Sequence, residues 1–475
     1  MDKYKPTIGL EIHAELKTKT KMFCRSKNDP NETQPNFNVC PICMGHPGTL
    51  PVVNKEAVRS ILMVGVALNG KLADFTEFDR KNYFYPDIPK GYQISQFKYP
   101  LVLGGKLGGI KLTRIHLEED TASSIHDEGD YSLVDFNRAG VPLMELVTEP
   151  MIESAKQASD FARELRILLR CLNVAEANME MGQMRVEANI SVSATNKFGT
   201  KVEVKNLNSF RSVERAIDYE INRHVSLLDK GKTIEQETRG WDESKSRTYS
   251  QRSKEDSHDY RYFPDPDIPP FYLSEFPEYS EDILRKSLPE LPWQKRNRYV
   301  KDYKLRAEDA EIFISDAGLS DRFEKIITQL AATNKSRVAE LTKLAMNYIT
   351  SDFLGIRKKN EKAKLPEDFS DLIVMLDKGE ISSRGAKDIL TIASDSKGNL
   401  SVRKIAEEKG LLQRSDRDVL ETIVYEVISE NQKVVADYKS GKLAALQYLV
   451  GQGMKKSKGS ANPAALRQVF EEDLK

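Results

Sequence analysis

Apolar and polar residues alternate in several stretches of the N-terminal part, and a period of two is typical of a β-strand with one buried face. The predicted strands cover residues 7–16, 111–117, 131–136, 184–193 and 200–207. Helical periodicity appears at residues 55–68, 154–172 and 209–229. Because these strands and helices do not alternate strictly as βαβ units, the pattern predicts an α+β domain around a largely antiparallel sheet.

The pattern changes at the two prolines of residues 288–293, after which only helical periodicity remains. Helices are predicted at residues 294–302, 307–317, 321–332, 336–354 and 368–378, and, after a break at 395–399, at 402–409, 415–431, 434–440, 444–456 and 464–474. We therefore predict three domains: an α+β domain at 1–292, an all-helical domain at 293–400 and a small helical tail domain at 401–475.

Composition narrows the class of protein. The 475 residues contain 72 Lys plus Arg and 72 Asp plus Glu, and a neutral chain does not coat nucleic acid by charge alone. Basic runs at 357–359 and 455–458 are either solvated faces or contacts to a phosphate backbone. The chain has no apolar leader, no stretch of membrane-spanning length and only four cysteines, which predicts a cytoplasmic protein without a disulfide framework.

Charged residues follow the predicted strands. Glu11, His13 and Glu15 share one strand face, which is either a solvated outer face or part of a site for a divalent cation. A second acidic cluster at residues 118–120 favours the cation site. Within residues 113–150 we expect 116–120 to carry chemistry, whereas 135–142 is expected to be framework, with Asn137 and Arg138 holding a turn and Gly140 allowing it to bend.

The predicted hairpin at 184–207 is apolar on one face and charged in both signs on the other. Its charged residues include Arg185, Glu187, Lys201, Glu203 and Lys205, with Asn206 directly after them. These residues form either cross-strand ion pairs or a cradle in which cations meet phosphates and acids hold Mg²⁺. Phosphoryl transfer requires the second arrangement and little covalent chemistry from the protein.

Two aromatic–proline segments resemble each other, at residues 81–87 and 259–267. Their side chains, Tyr83 and Tyr262 among them, either stack on an adenine or a terminal RNA base, or close the rim of the core.

Cys24, Cys40 and Cys43 follow a C-x₁₅-C-x₂-C spacing typical of structural zinc. A fourth cysteine is missing, so His46 or an oxygen ligand such as Asp29 is a candidate, and unliganded thiols remain the alternative. The sequence contains no GxxxxGK[ST] loop, no GxSxG elbow and no cysteine beside a histidine, so any ATP is held without a P-loop and no nucleophile is apparent.

Seven motifs in order resemble the B subunit of the aspartyl/glutamyl-tRNA amidotransferases, the GatB/GatE family. They include IGLEIHAEL, IHLEEDTASS, LVDFNRAGVPLMELVTEP, MRVEANISV and DYRYFPDPDIPPFY, and SKGSANP near the end resembles the family's tail. The resemblance implies a cradle domain that uses ATP and Mg²⁺ to phosphorylate the side-chain carboxylate of Glu-tRNA(Gln) or Asp-tRNA(Asn). It also implies an amidase partner (the A subunit) that supplies ammonia, a small third partner (the C subunit), and a tail domain that contacts the tRNA.

The same resemblance assigns roles within the patterns above. Glu11, His13 and Glu118 are the expected Mg²⁺ ligands. Lys81, Arg185 and Lys205, together with Glu118, are the expected catalytic residues, and the expected nucleotide-binding residues are Glu187, Glu203, Asn206, Tyr83 and Tyr262. One departure concerns zinc, because Ser26 stands where zinc-bearing members have a second cysteine. The alternatives are a non-catalytic tRNA-binding module with a structural zinc and a metal-dependent hydrolase.

Overall fold

The computed structural model describes residues 3–125, 129–253, 260–395, 400–413, 417–457 and 459–474. The chain divides into two compact units, Met1–Pro292 and Trp293–Lys475. The first combines a mixed sheet with helices and the second is helical, which confirms the predicted fold class. Four parts of these predictions lie outside the described residues: Asp259, Lys458, residues 396–399 of the break, and residues 415–416 of the helix predicted at 415–431.

The first unit contains seventeen described strands. They are β1 Lys5–Glu15, β2 Lys71–Leu72, β3 Phe75–Thr76, β4 Asp79–Asn82, β5 Tyr92–Ser95, β6 Val102–Leu103, β7 Lys106–Leu107, β8 Ile110–Glu119, β9 Ser123–Ile125, β10 Leu133–Asp135, β11 Pro142–Thr148, β12 Met184–Ser193, β13 Val202–Leu207, β14 Glu237–Asp242, β15 Arg247–Ser253, β16 Phe263–Pro264 and β17 Phe271–Tyr272. All five predicted strands are present, whereas several others, β14 and β15 among them, were not predicted.

The main sheet has ten strands in the order β15-β14-β13-β12-β1-β11-β8-β6-β2, with β7 paired to β8. Of the pairings described in this sheet, only β13 with β14 is parallel, so the prediction of a largely antiparallel sheet is confirmed. Smaller sheets join β9 to β10, β4 to β5 and β16, and β3 to β17. The three-stranded sheet brings the two aromatic–proline segments together.

Strand alternation explains how the sheet is covered. On β1 the side chains of Ile8, Leu10 and Ile12 are fully buried, and helices α2 (Ala155–Cys171) and α3 (Phe210–Asp229) contact β1 and β12. Each helix begins at a serine whose hydroxyl accepts a hydrogen bond from the backbone N–H three residues later, which satisfies one otherwise unpaired donor. The apolar face therefore lies under these helices and leaves the other face open.

The first unit also contains helices α1 and α4. Helix α5 begins at the last residue of this unit, and α6 to α16 lie in the second unit. Their bounds are α1 Lys55–Ala67, α4 Glu281–Lys286, α5 Pro292–Asp302, α6 Ala307–Ser315, α7 Ala317–Thr333, α8 Val338–Asn347, α9 Leu354–Lys359, α10 Phe369–Asp377, α11 Ser383–Asp395, α12 Val402–Glu408, α13 Arg417–Glu430, α14 Gln432–Lys439, α15 Ala444–Lys456 and α16 Pro463–Asp473. The predicted helix at 336–354 is divided by a π-helical turn at Tyr348–Phe353. Helices α4 and α11 were not predicted.

Within the second unit, α12 packs against α10 and α11, and the last four helices share a core built on Leu420, Val424, Leu449 and Phe470. The boundary at residue 400 stays a prediction. None of the helices that the structure describes is long and apolar enough to cross a membrane.

Candidate functional site

The open face of the main sheet carries the charged residues of five adjacent strands, β8, β11, β1, β12 and β13. Register places Glu11 opposite Glu187, and His13 between Arg185 and Glu145. We call this surface the cleft face, because its side chains line an open cleft of about 1400 Å³. Of the predicted site residues, the cleft is lined by Glu11, His13, Lys81, Tyr83, Glu118, Arg185, Glu187, Glu203, Lys205 and Tyr262.

A first group of possible cation ligands consists of His13, Glu118 and Glu145, which offer atoms within 4.8 Å of one another. His13 Nε2 lies 3.5 Å from Glu118 Oε1 and 3.4 Å from Glu145 Oε2. His116 Nε2 lies 3.3 Å from the same Glu145 oxygen. Glu145 thus bridges two histidines, although it was not among the predicted residues.

Burial and charge act against each other in this group. Burial favours a neutral His13, but Glu145, Glu118 and Glu187 outweigh it and raise the pKa of His13 to about 9. Burial likewise opposes ionisation of Glu145, yet its two histidine partners lower the pKa of Glu145 well below its ordinary value. The group therefore holds ionised carboxylate and attracts positive charge.

A second group consists of Glu11, Glu187 and Glu203, again with ligand atoms within 4.8 Å of one another. Asn189 Nδ2 donates to Glu11 Oε1 at 2.8 Å, and Thr238 Oγ1 on β14 donates to Glu203 Oε2 at 2.7 Å. These hydrogen bonds orient two of the three carboxylates. Asn206 is exposed and is not among the residues that line the cleft.

Three cations flank the two acidic groups. Arg185 donates to Asp120 at 2.9 Å, an ion pair that raises the pKa of Arg185 despite its burial. Lys205 Nζ lies 3.0 Å from Glu187 Oε2, and burial would lower the pKa of Lys205, but Glu187 and Glu203 raise it. Both Arg185 and Lys205 are therefore protonated at neutral pH.

Lys81, the third cation, lies on β4. It forms no ion pair with any carboxylate in the described part of the chain, and its Nζ lies 4.9 Å from the ring centre of Tyr260. Burial would lower its pKa, but Glu118, Tyr262 and Glu145 raise it. This ammonium is charged and faces the cleft without a direct anionic partner.

Aromatic rings border the cleft on the side of β4 and β16. Phe97 and Tyr262 stack with ring centres 4.3 Å apart, and Tyr83 and Tyr260 meet edge to face at 6.0 Å. Burial raises the pKa of Tyr262 to about 12, so its phenol stays protonated. Phe97 lines the cleft and retains 42 % exposure, which leaves apolar ring surface open to a ligand.

The acidic run at 118–120 is divided by strand alternation. Glu118 faces the cleft, where Ser95 donates to it at 3.3 Å. Glu119 lies on the other side of β8 and accepts from Lys90 at 2.6 Å. Asp120, just past the strand, contacts Arg185 and Arg138, and burial and Asp120 raise the pKa of nearby Glu15 to about 7.

The turn at 135–142 holds a neighbouring loop in place by hydrogen bonds. None of its residues lines the cleft. Asn137 accepts from the Asn38 backbone at 2.8 Å and donates to the Gln34 carbonyl at 2.7 Å. Gly140 has a φ of +82°, and a Cβ there would lie 3.4 Å from the Cβ of Cys43. Glycine therefore suits both the backbone conformation and the close approach.

The loop held by this turn, residues 17–54, contains the three clustered cysteines, and we call it the cysteine loop. The Sγ atoms of Cys24, Cys40 and Cys43 lie within 4.8 Å of one another. A hydrogen bond from Cys24 and the nearby Lys21 lower the pKa of Cys43, although burial opposes this. His46 does not join this group.

The fold and the cleft together match a known class of protein. The family model described as "GatB/GatE catalytic domain" matches residues 6–277, and the model described as "GatB domain" matches residues 321–474. The first unit is thus a GatB/GatE-type catalytic domain.

Curated relatives carry a more particular name. The chain is 43 % identical over 495 residues to the B subunit of the aspartyl/glutamyl-tRNA(Asn/Gln) amidotransferase of Thermotoga petrophila, a match that covers 99 % of each chain. It is 44 % identical over 489 residues to that of Persephonella marina, covering 99 % of this chain and all of the relative. The chain therefore belongs to the family of aspartyl/glutamyl-tRNA(Asn/Gln) amidotransferase B subunits, and the predicted family and enzyme class are confirmed.

Proposed function

We propose that the cleft face uses ATP to phosphorylate the side-chain carboxylate of Glu-tRNA(Gln), Asp-tRNA(Asn) or both. Ammonia released from glutamine by a partner chain then displaces the phosphate and forms the amide. The relatives' shared name refers to these aminoacyl-tRNAs and to one subunit of a larger assembly. We propose the amidase and the small third subunit of that assembly as its partners, in the cytoplasm.

The observation that carries this proposal is the charge arrangement of the cleft. Two groups of oxygen-rich ligands lie on one face, and Lys81, Arg185 and Lys205 line the same cleft. Transfer of a phosphoryl group depends chiefly on positioning and on stabilising negative charge. A nucleophilic side chain is not required, because the substrate's own carboxylate attacks.

The donor atoms suit Mg²⁺. Carboxylate oxygens predominate, and hard divalent cations prefer oxygen ligands. We propose that Glu118, Glu145 and His13, which would release its proton on binding the metal, hold one ion and that Glu11, Glu187 and Glu203 hold another. When bound, Mg²⁺ would neutralise charge on the phosphates.

The chain's cations supply the remaining positive charge. Lys81 has no carboxylate partner in the described residues, so its ammonium is available to a phosphate oxygen. Arg185 and Lys205 are held by Asp120 and Glu187, which fixes their orientation before a ligand arrives. Preorganised charges of this kind lower the barrier without reorganisation during the reaction.

The aromatic border suits the bases of the two substrates. Exposed ring surface on Phe97 can stack on the adenine of ATP or on the terminal base of the tRNA. We propose Tyr83 and Tyr262, whose rings pack beside this surface, as supports for that contact. The basic runs of the helical unit are proposed contacts to the tRNA backbone.

The test is ATP hydrolysis by the reconstituted complex, with and without Glu-tRNA(Gln), followed by the amide product. We expect ADP formation to depend on the mischarged tRNA. ADP formation that ignores the tRNA would favour a metal-dependent hydrolase. tRNA binding without any ADP would favour a non-catalytic module with a structural zinc, and either result would overturn the proposal.

A further inference from the structure

Strand β4 carries side chains with two different surroundings. Lys81 lines the cleft, whereas Arg80, on the opposite side of the strand, is not among the residues that line it. Arg80 Nε donates to Asp265 Oδ2 at 2.9 Å, and Arg80 Nη2 donates to Asp267 Oδ2 at 3.0 Å. Both carboxylates belong to the second aromatic–proline segment, so one guanidinium joins that segment to β4.

This contact differs from an exposed surface ion pair. The side chain of Asp265 is fully buried, and loss of its partner would leave an uncompensated charge. The guanidinium carbon of Arg80 also lies 4.2 Å from the ring centre of Tyr92 and 5.8 Å from that of Phe263. Two carboxylates and two rings therefore fix the position of Arg80.

Backbone pairing at this place is short. Strand β16 pairs with β4 over two residues, one of which is Pro264, and proline has no N–H to donate. One further backbone hydrogen bond joins Asp265 to the Phe78 carbonyl at 2.8 Å. Arg261 has a φ of +45°, which is unfavourable for a residue with a Cβ, and its carbonyl accepts from Asn82 Nδ2 at 2.9 Å. Side chains of β4 thus supplement a short backbone ladder.

The segment held in this way carries rings that border Lys81. The ring centre of Tyr260 lies 4.9 Å from Lys81 Nζ, and Tyr262 stacks on Phe97 with ring centres 4.3 Å apart. Both tyrosines line the cleft. A displacement of the segment would therefore move these rings relative to the Lys81 ammonium and to Phe97.

We propose that Arg80 is a positioning residue, which acts through Asp265 and Asp267 to hold Tyr260 and Tyr262 where a nucleotide base stacks in the cleft. The base belongs to ATP or to the end of the tRNA, and the test distinguishes these two sources. The inference rests on the proposed function. It concerns the binding of the base, so variants of Arg80 can contradict it while the wild-type reaction stands.

The test is steady-state kinetics of ADP formation by the reconstituted complex, with ATP and Glu-tRNA(Gln) varied in turn. Stacking contributes to the substrate complex and the transition state alike, so its loss raises KM and leaves kcat nearly unchanged. R80M should raise the KM for the ligand whose base stacks by about 10-fold and leave the KM for the other ligand unchanged. R80K keeps the charge but not the fork and should lie between wild type and R80M.

Further variants separate positioning from folding. R80M/D265N removes both charges, so it should keep a thermal midpoint near that of the wild type while the KM stays raised. Y262L should raise the KM for the same ligand, and R80M should add little to it, because residues that act through one another are not additive. R285M, at an exposed ion pair, is the matched control and should behave as the wild type.

The inference is overturned by an unchanged KM for both ligands in R80M/D265N, by an equal rise in both KM values, or by a lower kcat at unchanged KM. Additive effects of R80M and Y262L would also overturn it. A wild-type complex whose ADP formation ignores the tRNA would instead overturn the proposed function, and this inference with it.

Discussion

The cleft face and the cysteine loop support the same domain by different physical means. On the cleft face, the two-residue period of each strand decides which side chains point into the cleft, and neighbouring strands bring them together in register. The cysteine loop has no such period and is held by side-chain hydrogen bonds from a turn about a hundred residues later. Sequence periodicity therefore predicts which side chains share the cleft face, but it predicts little about the structure of the cysteine loop.

The difference also concerns charge. The cleft face brings carboxylates and cations together on an open surface, and its clustered carboxylates favour a bound cation. In the cysteine loop, a single buried lysine faces the cysteine cluster. We therefore expect changes on the cleft face to alter activity with little effect on folding, and changes in the loop to alter folding first.

The largest expected effect comes from Glu118→Gln. Removing this carboxylate from the proposed cation group should lower tRNA-dependent ADP formation by about 1000-fold, while tRNA binding and the thermal midpoint stay near those of the wild type. Single-turnover kinetics and filter binding measure the two quantities. Glu153→Gln, at an exposed surface pair, is the control, and unchanged turnover in Glu118→Gln would remove Glu118 from the site.

A buried ionic group on α3 extends the comparison, because its residues are not among those that line the cleft. Burial opposes ionisation of Glu220, but His224, Arg223 and Thr248 lower its pKa to about 2 from an ordinary 4.5. A lowered carboxylate pKa stabilises the fold above the ordinary value and loses this contribution as the pH falls towards the folded value. The free energy of unfolding of the wild type should therefore exceed that of Glu220→Gln by about 3 kcal/mol near neutral pH.

That advantage should shrink as the pH falls from 4.5 to 2. Denaturant titrations of both chains at several pH values measure it, and comparing the two chains removes the effect of the other acids. A gap that stays constant over this range would show that Glu220 is not held ionised by its partners.

The next effect is expected from Lys81→Met. This ammonium faces the cleft without a carboxylate partner in the described residues, so its loss should lower kcat/KM for ATP by about 100-fold and leave the free energy of unfolding nearly unchanged. Steady-state kinetics against ATP, with Lys98→Met as an exposed control, test this. If Lys81→Met destabilises the fold while kcat/KM is preserved, Lys81 belongs to the framework and not to the proposed phosphate contact.

The smallest of these effects is expected from Asn137→Ala. The variant removes two hydrogen bonds that hold the cysteine loop, so it should cost about 2 kcal/mol and speed proteolysis within residues 25–54. Activity should fall much less than in Glu118→Gln. Asn196→Ala, on an exposed turn, is the control, and unchanged proteolysis would show that the loop is held by other contacts.

Sequence reasoning predicted the strands of the cleft face well because amphipathic alternation is a local property. It missed Glu145, although this acid stands at an alternate position of an otherwise apolar strand, where a single carboxylate is itself a signal. It also missed β14, which supplies Thr238, and helix α11, whose buried residues Ala386, Ile389 and Ala393 follow a helical period. Expectations about individual catalytic roles stay predictions.

By itself, the sequence determined which side chains share a strand face, the switch from mixed to helical structure, and the family, because these depend on local period and motif order. Only the tertiary structure decided that Glu145 bridges His13 and His116. It also decided that Glu119 points away from the cleft and pairs with Lys90, and that Ser26 and Lys21 lie beside the cysteines. Such contacts join residues far apart in the chain, or depend on the path of an irregular loop. No local pattern encodes those distances.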